Sequence, residues 1–347
     1  MGCAAEQTAP APSPAPSPAP SPAPSPTPSP APAPAPKPSP APSPTPTEPV
    51  RLKCVDGGST STGMAFMTAL SVLCDKYSDK VRIDAVPGKG WIESMRFLAT
   101  GETQIGLNYE WILIDMHAGQ EGFADLGPKN NDRLLFNQLE ASGHIVVLDS
   151  SPITAFTYDQ IKGKSVALRQ PGSAGAVTAD AMLRAIGIDP AEDVKLLPAN
   201  QLDNNSSLLD GTADILLGLL GFPHSTQVEL AATKPIRWLN LPPETQANLI
   251  KRLGALPGEL SGYYKGLKEP VQTIVVPAMV SLDKDVPDDI AYELAKLWYD
   301  HWEERNEFHA SIKTNGTVEK LQLVARASSS PVHPGALKYY QEKGWLK

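Results

Sequence analysis

The stretch Leu52-Lys53-Cys54-Val55-Asp56-Gly57-Gly58-Ser59-Thr60-Ser61-Thr62-Gly63 joins a short apolar run to a loop of glycines and hydroxyls. Beyond it, Phe66, Leu70, Leu73, Cys74 and Tyr77 recur at the spacing of one helix face. A strand, a loop and an amphipathic helix are therefore expected, the helix over 62–77. The same alternation continues with a strand at 81–86, a helix at 91–99 and a strand at 105–107, then a long irregular stretch and a strand at 142–148. The rhythm then restarts: strand 165–168, helix 174–186, strand 194–197, helix 202–210, strand 215–219. Such alternation predicts an α/β fold, a parallel sheet with helices on both faces.

The restart near residue 149 predicts a second lobe. A strand-like run at 273–282, followed by helical patterns over 288–308 and 317–325, predicts a return to the first. The expected lobes are 51–148 with 270–347, and 149–269. About 300 residues exceed what one core usually supports, which agrees with two lobes. Two crossings make a hinge, with 145–148 and 273–282 as hinge strands. The cleft between lobes would collect the loops at the carboxyl ends of the strands, where open α/β sheets bind ligands.

The first 50 residues are of another kind. They hold 20 of the 36 prolines, in Ala-Pro-Ser-Pro repeats with no aromatic residue and almost no charge. Such a segment cannot bury a core. It is expected as a disordered, semi-rigid polyproline stalk reaching up to ~120 Å. Gly2-Cys3 before it resembles the end of a bacterial lipoprotein signal, which would make Cys3 a lipidated anchor to a membrane. The apolar segment that should precede the cysteine is not in this sequence: either Met1 stands where a signal peptide was removed, or the resemblance is accidental.

From residue 51 on there are 29 Lys and Arg against 36 Asp and Glu. That balance offers no basic face and excludes a nucleic-acid binder. No stretch approaches ~18 consecutive apolar residues, which excludes a transmembrane helix in the sequence as given. Cys54 and Cys74 are either a disulfide between the first strand and the end of its helix, or two small buried hydrophobes. No metal or cofactor is expected.

Two loops carry the binding chemistry. In the first, Gly58, Ser59, Thr60 and Ser61 lead into a helix whose free N–H groups and dipole favour an anion. In the second lobe Arg169-Gln170-Pro171-Gly172-Ser173-Ala174-Gly175 does the same, with Arg169 placed to form a bidentate salt bridge to that anion. Each has a plainer reading: the hydroxyls are ordinary helix caps, and Arg169 is a surface ion pair. Further candidates are Asn108 after the third strand, with Tyr109 and Trp111 beside it, and Phe222 in Gly221-Phe222-Pro223-His224 as a lid.

The order of the Gly-Gly-Ser-Thr loop, Gly90-Trp91-Ile92-Glu93-Ser94-Met95, Gly101-Glu102-Thr103-Gln104, Pro171-Gly172-Ser173-Ala174-Gly175, Asp210-Gly211-Thr212-Ala213-Asp214 and the ending Pro331-Val332-His333-Pro334-Gly335 resembles the TAXI family. These are solute-binding proteins of tripartite ATP-independent periplasmic (TRAP) transporters. The resemblance spans about residues 51 to 345. It implies a two-lobed type II periplasmic-binding fold, a small carboxylate closed into the cleft, and delivery to a TRAP permease in the membrane. The chain departs from the family at the ligand: Thr62-Gly63-Met64 replaces the usual tyrosine, Trp91 a small serine, Ser94 an asparagine and Arg169 a glycine. An aromatic wall at Trp91 and an added cation at Arg169 would fit an organic acid with a flat apolar portion.

Other classes find less support. There is no Gly-x-Ser-x-Gly elbow and no His-Glu-x-x-His, and the six histidines are scattered, so an enzyme is not expected. His333 is expected to pin the C-terminal segment rather than to act chemically. The alternatives that remain are a lipid-anchored receptor feeding a sensor kinase instead of a permease, and a purely structural surface lipoprotein.

Overall fold

The computed structural model describes residues 48–56 and 62–347. The first lobe opens with β1 (Val50–Asp56), α1 (Thr62–Tyr77), β2 (Val81–Pro87), α2 (Trp91–Thr100), β3 (Ile105–Tyr109) and α3 (Glu110–Ala118), and then enters the long β4 (Asp132–Leu148). The second lobe contains α4 (Tyr158–Ile161), β5 (Ser165–Arg169), α5 (Ala174–Ala185), β6 (Lys195–Ala199), α6 (Gln201–Asp210) and β7 (Ile215–Gly221). It continues with α7 (Ser225–Thr233), β8 (Ile236–Trp238), α8 (Pro243–Leu253) and β9 (Leu256–Leu260). The chain returns on β10 (Val271–Asp283) and ends with α9 (Asp288–Asp300), α10 (Trp302–Phe308), α11 (Ala310–Asn315), α12 (Val318–Ala327) and α13 (Pro334–Glu342).

Among the described residues the strands form one sheet in the order β2-β1-β3-β10-β4-β7-β5-β6, with β8 added on β4 and β9 on β10. Its two ends are parallel, as the alternation predicts. Its middle is not: β3, β10, β4 and β7 pair antiparallel. This corrects the all-parallel expectation, because a chain that crosses between lobes and comes back must run in opposite directions on its two crossings. β10 pairs with β9 over 271–275 and with β3 over 278–282, so one strand serves both lobes. β4 does likewise, pairing with β10 from Asp132 to Ser142 and with β7 from Ala141 to Val146. The fold is a two-lobed mixed α/β architecture with two hinge strands. The β4–β10 register slips between Ala278 and Met279 and again between Val280 and Ser281, and such bulges bend and twist a ribbon locally.

Among the described residues three apolar clusters fill the faces of the sheet. One draws on both lobes, with Met95, Trp111, Ile145, Met182 and Ile274. A second belongs to the first lobe, with Phe66, Leu70, Phe136, Trp298 and Tyr339, and a third to the second lobe, with Val146, Leu216, Trp238 and Tyr264. On α9, Leu297 and Trp298 are core, whereas Trp302, which opens α10, is about half exposed at 53%.

The C-terminal motif is structural. His333 is fully buried; its backbone N–H donates to Leu134 O at 2.9 Å, and its Nδ1 accepts from the Gly335 N–H at 3.3 Å to cap α13. A Cβ on Gly335 would lie 1.9 Å from the carbonyl oxygen of Asp288, so only glycine lets α13 pack on α9 there.

Cys54 and Cys74 are buried in the same cluster and are free thiols, which corrects the disulfide expectation. Each side chain is enclosed by apolar neighbours and serves as a small hydrophobe. Burial holds the Cys54 thiol well above its usual range, with Asp56 adding to the effect, and burial pushes Cys74 up to about 12. Neither is a thiolate at neutral pH, so both should resist alkylation in the folded protein. Unfolding without reductant should expose both to reagent. Recovery of either only after reduction would restore the disulfide.

Candidate functional site

β3 and β5 end at Tyr109 and Arg169, and these two side chains stand at the junction of two cavities of about 730 and 570 Å³ that also share Ser173 and Ala174. The larger is walled by Trp91, Ile92, Trp111 and Ile112 from the first lobe and by residues 169–174 from the second. The smaller is walled by Glu140, Gly221, His224 and Ser225, and by His309, Ser311 and Asn315 around α11. Both volumes suit a small organic ligand.

Trp91 and Tyr109 form the aromatic wall, with ring centroids 4.6 Å apart and planes tilted by 38°. The indole N–H is not free to meet a ligand: it donates to Asp56 Oδ1 at 2.6 Å. Trp91 therefore presents its ring. Asp56 is fully buried, and a Cβ on Gly63 would lie 2.5 and 2.8 Å from its two carboxylate oxygens. The first turn of α1 is thus met by a carboxylate from the protein itself. The expected Gly58, Ser59, Thr60 and Ser61 lie outside the described residues, as does Cys3.

In the second lobe Arg169 is half-buried at the end of β5, and among the described residues its guanidinium makes no hydrogen bond or ion pair with the protein. A surface ion pair is accordingly not what it forms there. Its charge reaches two neighbours: it opposes the upward push that burial gives the Tyr109 hydroxyl, and it adds to the burial that lowers His224. A Cβ on Gly175 would lie 2.5 Å from Arg169 Cγ, so the glycine lets the arginine stem lie across the start of α5. Gly172 turns the loop with φ at 83°, a left-handed conformation that favours glycine. Ser173 caps α5: its Oγ accepts from the Ala176 N–H at 3.2 Å and donates to Gln170 O at 2.7 Å. Its hydroxyl is occupied as a cap, while Gln170 stays exposed on the wall.

Two expected contacts lie elsewhere. Asn108 is fully buried below the cleft, where its amide donates to Ser281 Oγ at 2.9 Å and ties β3 to β10. Phe222 packs against Tyr263 and Tyr264, with centroids 5.5 and 5.4 Å away in edge-on contact, and does not wall either cavity. Its neighbour His224 does. Sequence reading took Phe222 rather than His224 from Gly221-Phe222-Pro223-His224, and it passed over His309, Glu140 and Asn315 as contacts, because no local motif marks them and they converge only through the fold.

Behind the smaller cavity lies a buried polar chain. His144 Nδ1 is 2.9 Å from Ser142 O and must donate, so Nε2 accepts from the Tyr264 hydroxyl at 2.9 Å. That hydroxyl oxygen in turn accepts from the His224 backbone N–H at 3.1 Å. Burial pulls His144 down to about 4 from its ordinary 6.5. The unfolded chain then binds the proton more readily than the folded one between these values. The stability that neutral His144 contributes should be complete above about pH 6.5 and should fall by ~3 kcal/mol as pH drops to about 4. Denaturation midpoints measured across this window should decline less in His144→Gln than in the native chain. Equal slopes would show that another group is responsible.

Among the described residues no group of His, Cys, Asp and Glu is placed to hold a metal ion, and no helix is long and apolar enough to cross a membrane.

Several solved structures are similar to the chain. A putative sulfonate ABC transporter periplasmic sulfonate-binding protein from Methylobacillus flagellatus is 14% identical, covering 84% of this chain and 76% of its own, with a TM-score of 0.45. The periplasmic aliphatic sulphonate binding protein from Escherichia coli is 16% identical over 85% and 83%, with a TM-score of 0.41. A TctC solute binding protein from Polaromonas is 12% identical over 86% and 98%, with a TM-score of 0.46. The sequence itself matches the NMT1-like family over residues 57–344, nearly the whole of the folded part, and the chain belongs to that family.

Proposed function

We propose that the protein is an extracytoplasmic solute-binding receptor that closes a small organic anion between its lobes and delivers it to a TRAP-type permease. The observation that carries this reading is Arg169: a half-buried guanidinium without a protein partner among the described residues, on a cleft walled by Trp91 and Tyr109. A carboxylate on Arg169 would gain a charge-assisted, two-pronged hydrogen bond, and a flat apolar body would cover the indole. Gln170, Gly172, Ser173 and Gly175 shape the lip that presents the arginine. With residues 51–148 and 270–347 as one lobe and 149–269 as the other, closure would bend β4 and β10. The permease partner, the TAXI subfamily and a tether through lipid on Cys3 belong to the same proposal and rest on the sequence motifs.

Native mass spectrometry of protein purified from its own envelope tests the reading. A single organic acid should leave on denaturation. Protein that comes off empty, and whose melting does not shift across a carboxylate panel, would sink it.

A further inference from the structure

We infer that the smaller cavity is a second acid subsite, built across the cleft by His224 and His309, and that filling it takes up a proton. This rests on the organic-anion reading of the cleft. His224 comes from the second lobe just before α7, and His309 from the first lobe just before α11, yet both line the same chamber as Arg169. The Ser311 N–H donates to His309 Nδ1 at 3.1 Å, which leaves the proton on Nε2 as a donor. His224 Nδ1 lies 2.8 Å from the Thr226 hydroxyl, a group able to donate or accept, so the ring keeps its place whether neutral or cationic.

The surrounding charges favour an incoming anion. Arg169 faces the chamber from β5 and Glu140 from β4; Glu140 Oε2 is paired with Lys320 Nζ of α12 at 2.5 Å, which offsets its charge, while Oε1 is buried without a hydrogen-bond partner among the described residues. Tyr109 closes the β3 side, and uncharged His144 and Tyr264 stand behind His224. Burial, and then the charge of Arg169, hold His224 below the usual imidazole range, so it is neutral in the empty chamber near pH 7. An acid group placed among Arg169, His224 and His309 supplies the counter-charge that reverses this, and binding therefore draws in a proton.

Phenylacetate and α-sulfophenylacetate differ by one permanently ionised sulfonate, so any titration between mild acid and neutral pH belongs to the protein. Calorimetry at about pH 5.5 and about pH 7.5, either side of an ordinary imidazole, should show the sulfonated probe binding more tightly. The advantage should be about tenfold, should grow at the lower pH, and should carry a buffer-dependent heat of proton uptake. In His224→Asn/His309→Asn the ratio of the two affinities should fall to near one. His309→Asn alone, which keeps an acceptor for the Ser311 N–H and cannot disturb the core, should lower the ratio part of the way. Equal affinities for the two probes in the native chain, or a preference that survives the double substitution, would overturn the subsite and leave the organic-anion reading standing. Binding of neither probe would remove both.

Discussion

Arg169→Ala should cost about a hundredfold in affinity for the acid recovered from the native protein, ~3 kcal/mol, the upper range for a hydrogen bond to a charged group. Calorimetric titration measures it directly. The melting temperature of the empty protein should not fall, because among the described residues no hydrogen bond or ion pair to Arg169 is lost. This pairing of effects separates a ligand contact from a structural salt bridge, whose removal would lower stability first. Arg169→Lys should recover only part of the loss, since an ammonium keeps the charge but not the planar fork. Unchanged affinity in Arg169→Ala would move the anion site elsewhere in the cleft.

The largest effect on stability is expected at Trp298. Its ring lies 4.4 Å from Phe136 with planes 2° apart, and 5.5 Å from Phe66, and the guanidinium of Arg305 sits over it at 4.6 Å. Trp298→Ala would open a cavity between α9 and the sheet and strip Arg305 of its main cover, at a cost of about 4 kcal/mol. Arg305 is itself nearly buried, and burial lowers it to about 10, so it tolerates little further loss of favourable contact. Urea denaturation should show the whole drop, with Trp298→Phe retaining roughly half of it by keeping a stacked ring. A change under ~1 kcal/mol would mean that the layer repacks freely, against the close packing of interiors.

Local pattern decided what could be read in advance. The spacing of Phe66, Leu70, Leu73, Cys74 and Tyr77 set α1 at Thr62–Tyr77, and the restarted alternation after residue 149 set β5, α5, β6, α6 and β7. The stretch expected to be irregular holds α3 and the first half of β4. In α3 six of nine residues are buried, Glu110 and Asp115 included, so no polar face marks it as a helix. In β4, Asn137 and Gln138 lie buried inside the strand and interrupt its apolar run. At the site, Arg169, Gln170, Gly172, Ser173 and Gly175 form a single loop and were legible together. Trp91 was legible as an aromatic wall, but its bond to Asp56 joins residues 35 positions apart. Asn108 looked available because it follows a strand, and only the arrival of Ser281, 173 positions later, shows that its amide N–H is engaged below the cleft. Long-range hydrogen bonds leave no periodicity behind.

The shared central strands also fix the order in which the molecule can be made. β3 has no outer neighbour until β10 arrives, and Leu134 and Leu135 of β4 wait for Pro331, His333 and Tyr340, the last bonding Leu135 O at 2.5 Å. The first lobe begins the folded chain and also needs α13, so that lobe cannot close before Pro334–Glu342 has been made. Contacts so distant in sequence fold slowly. A nascent chain of this design stays threadable for most of its synthesis, as the proposed role outside the cytoplasm would require.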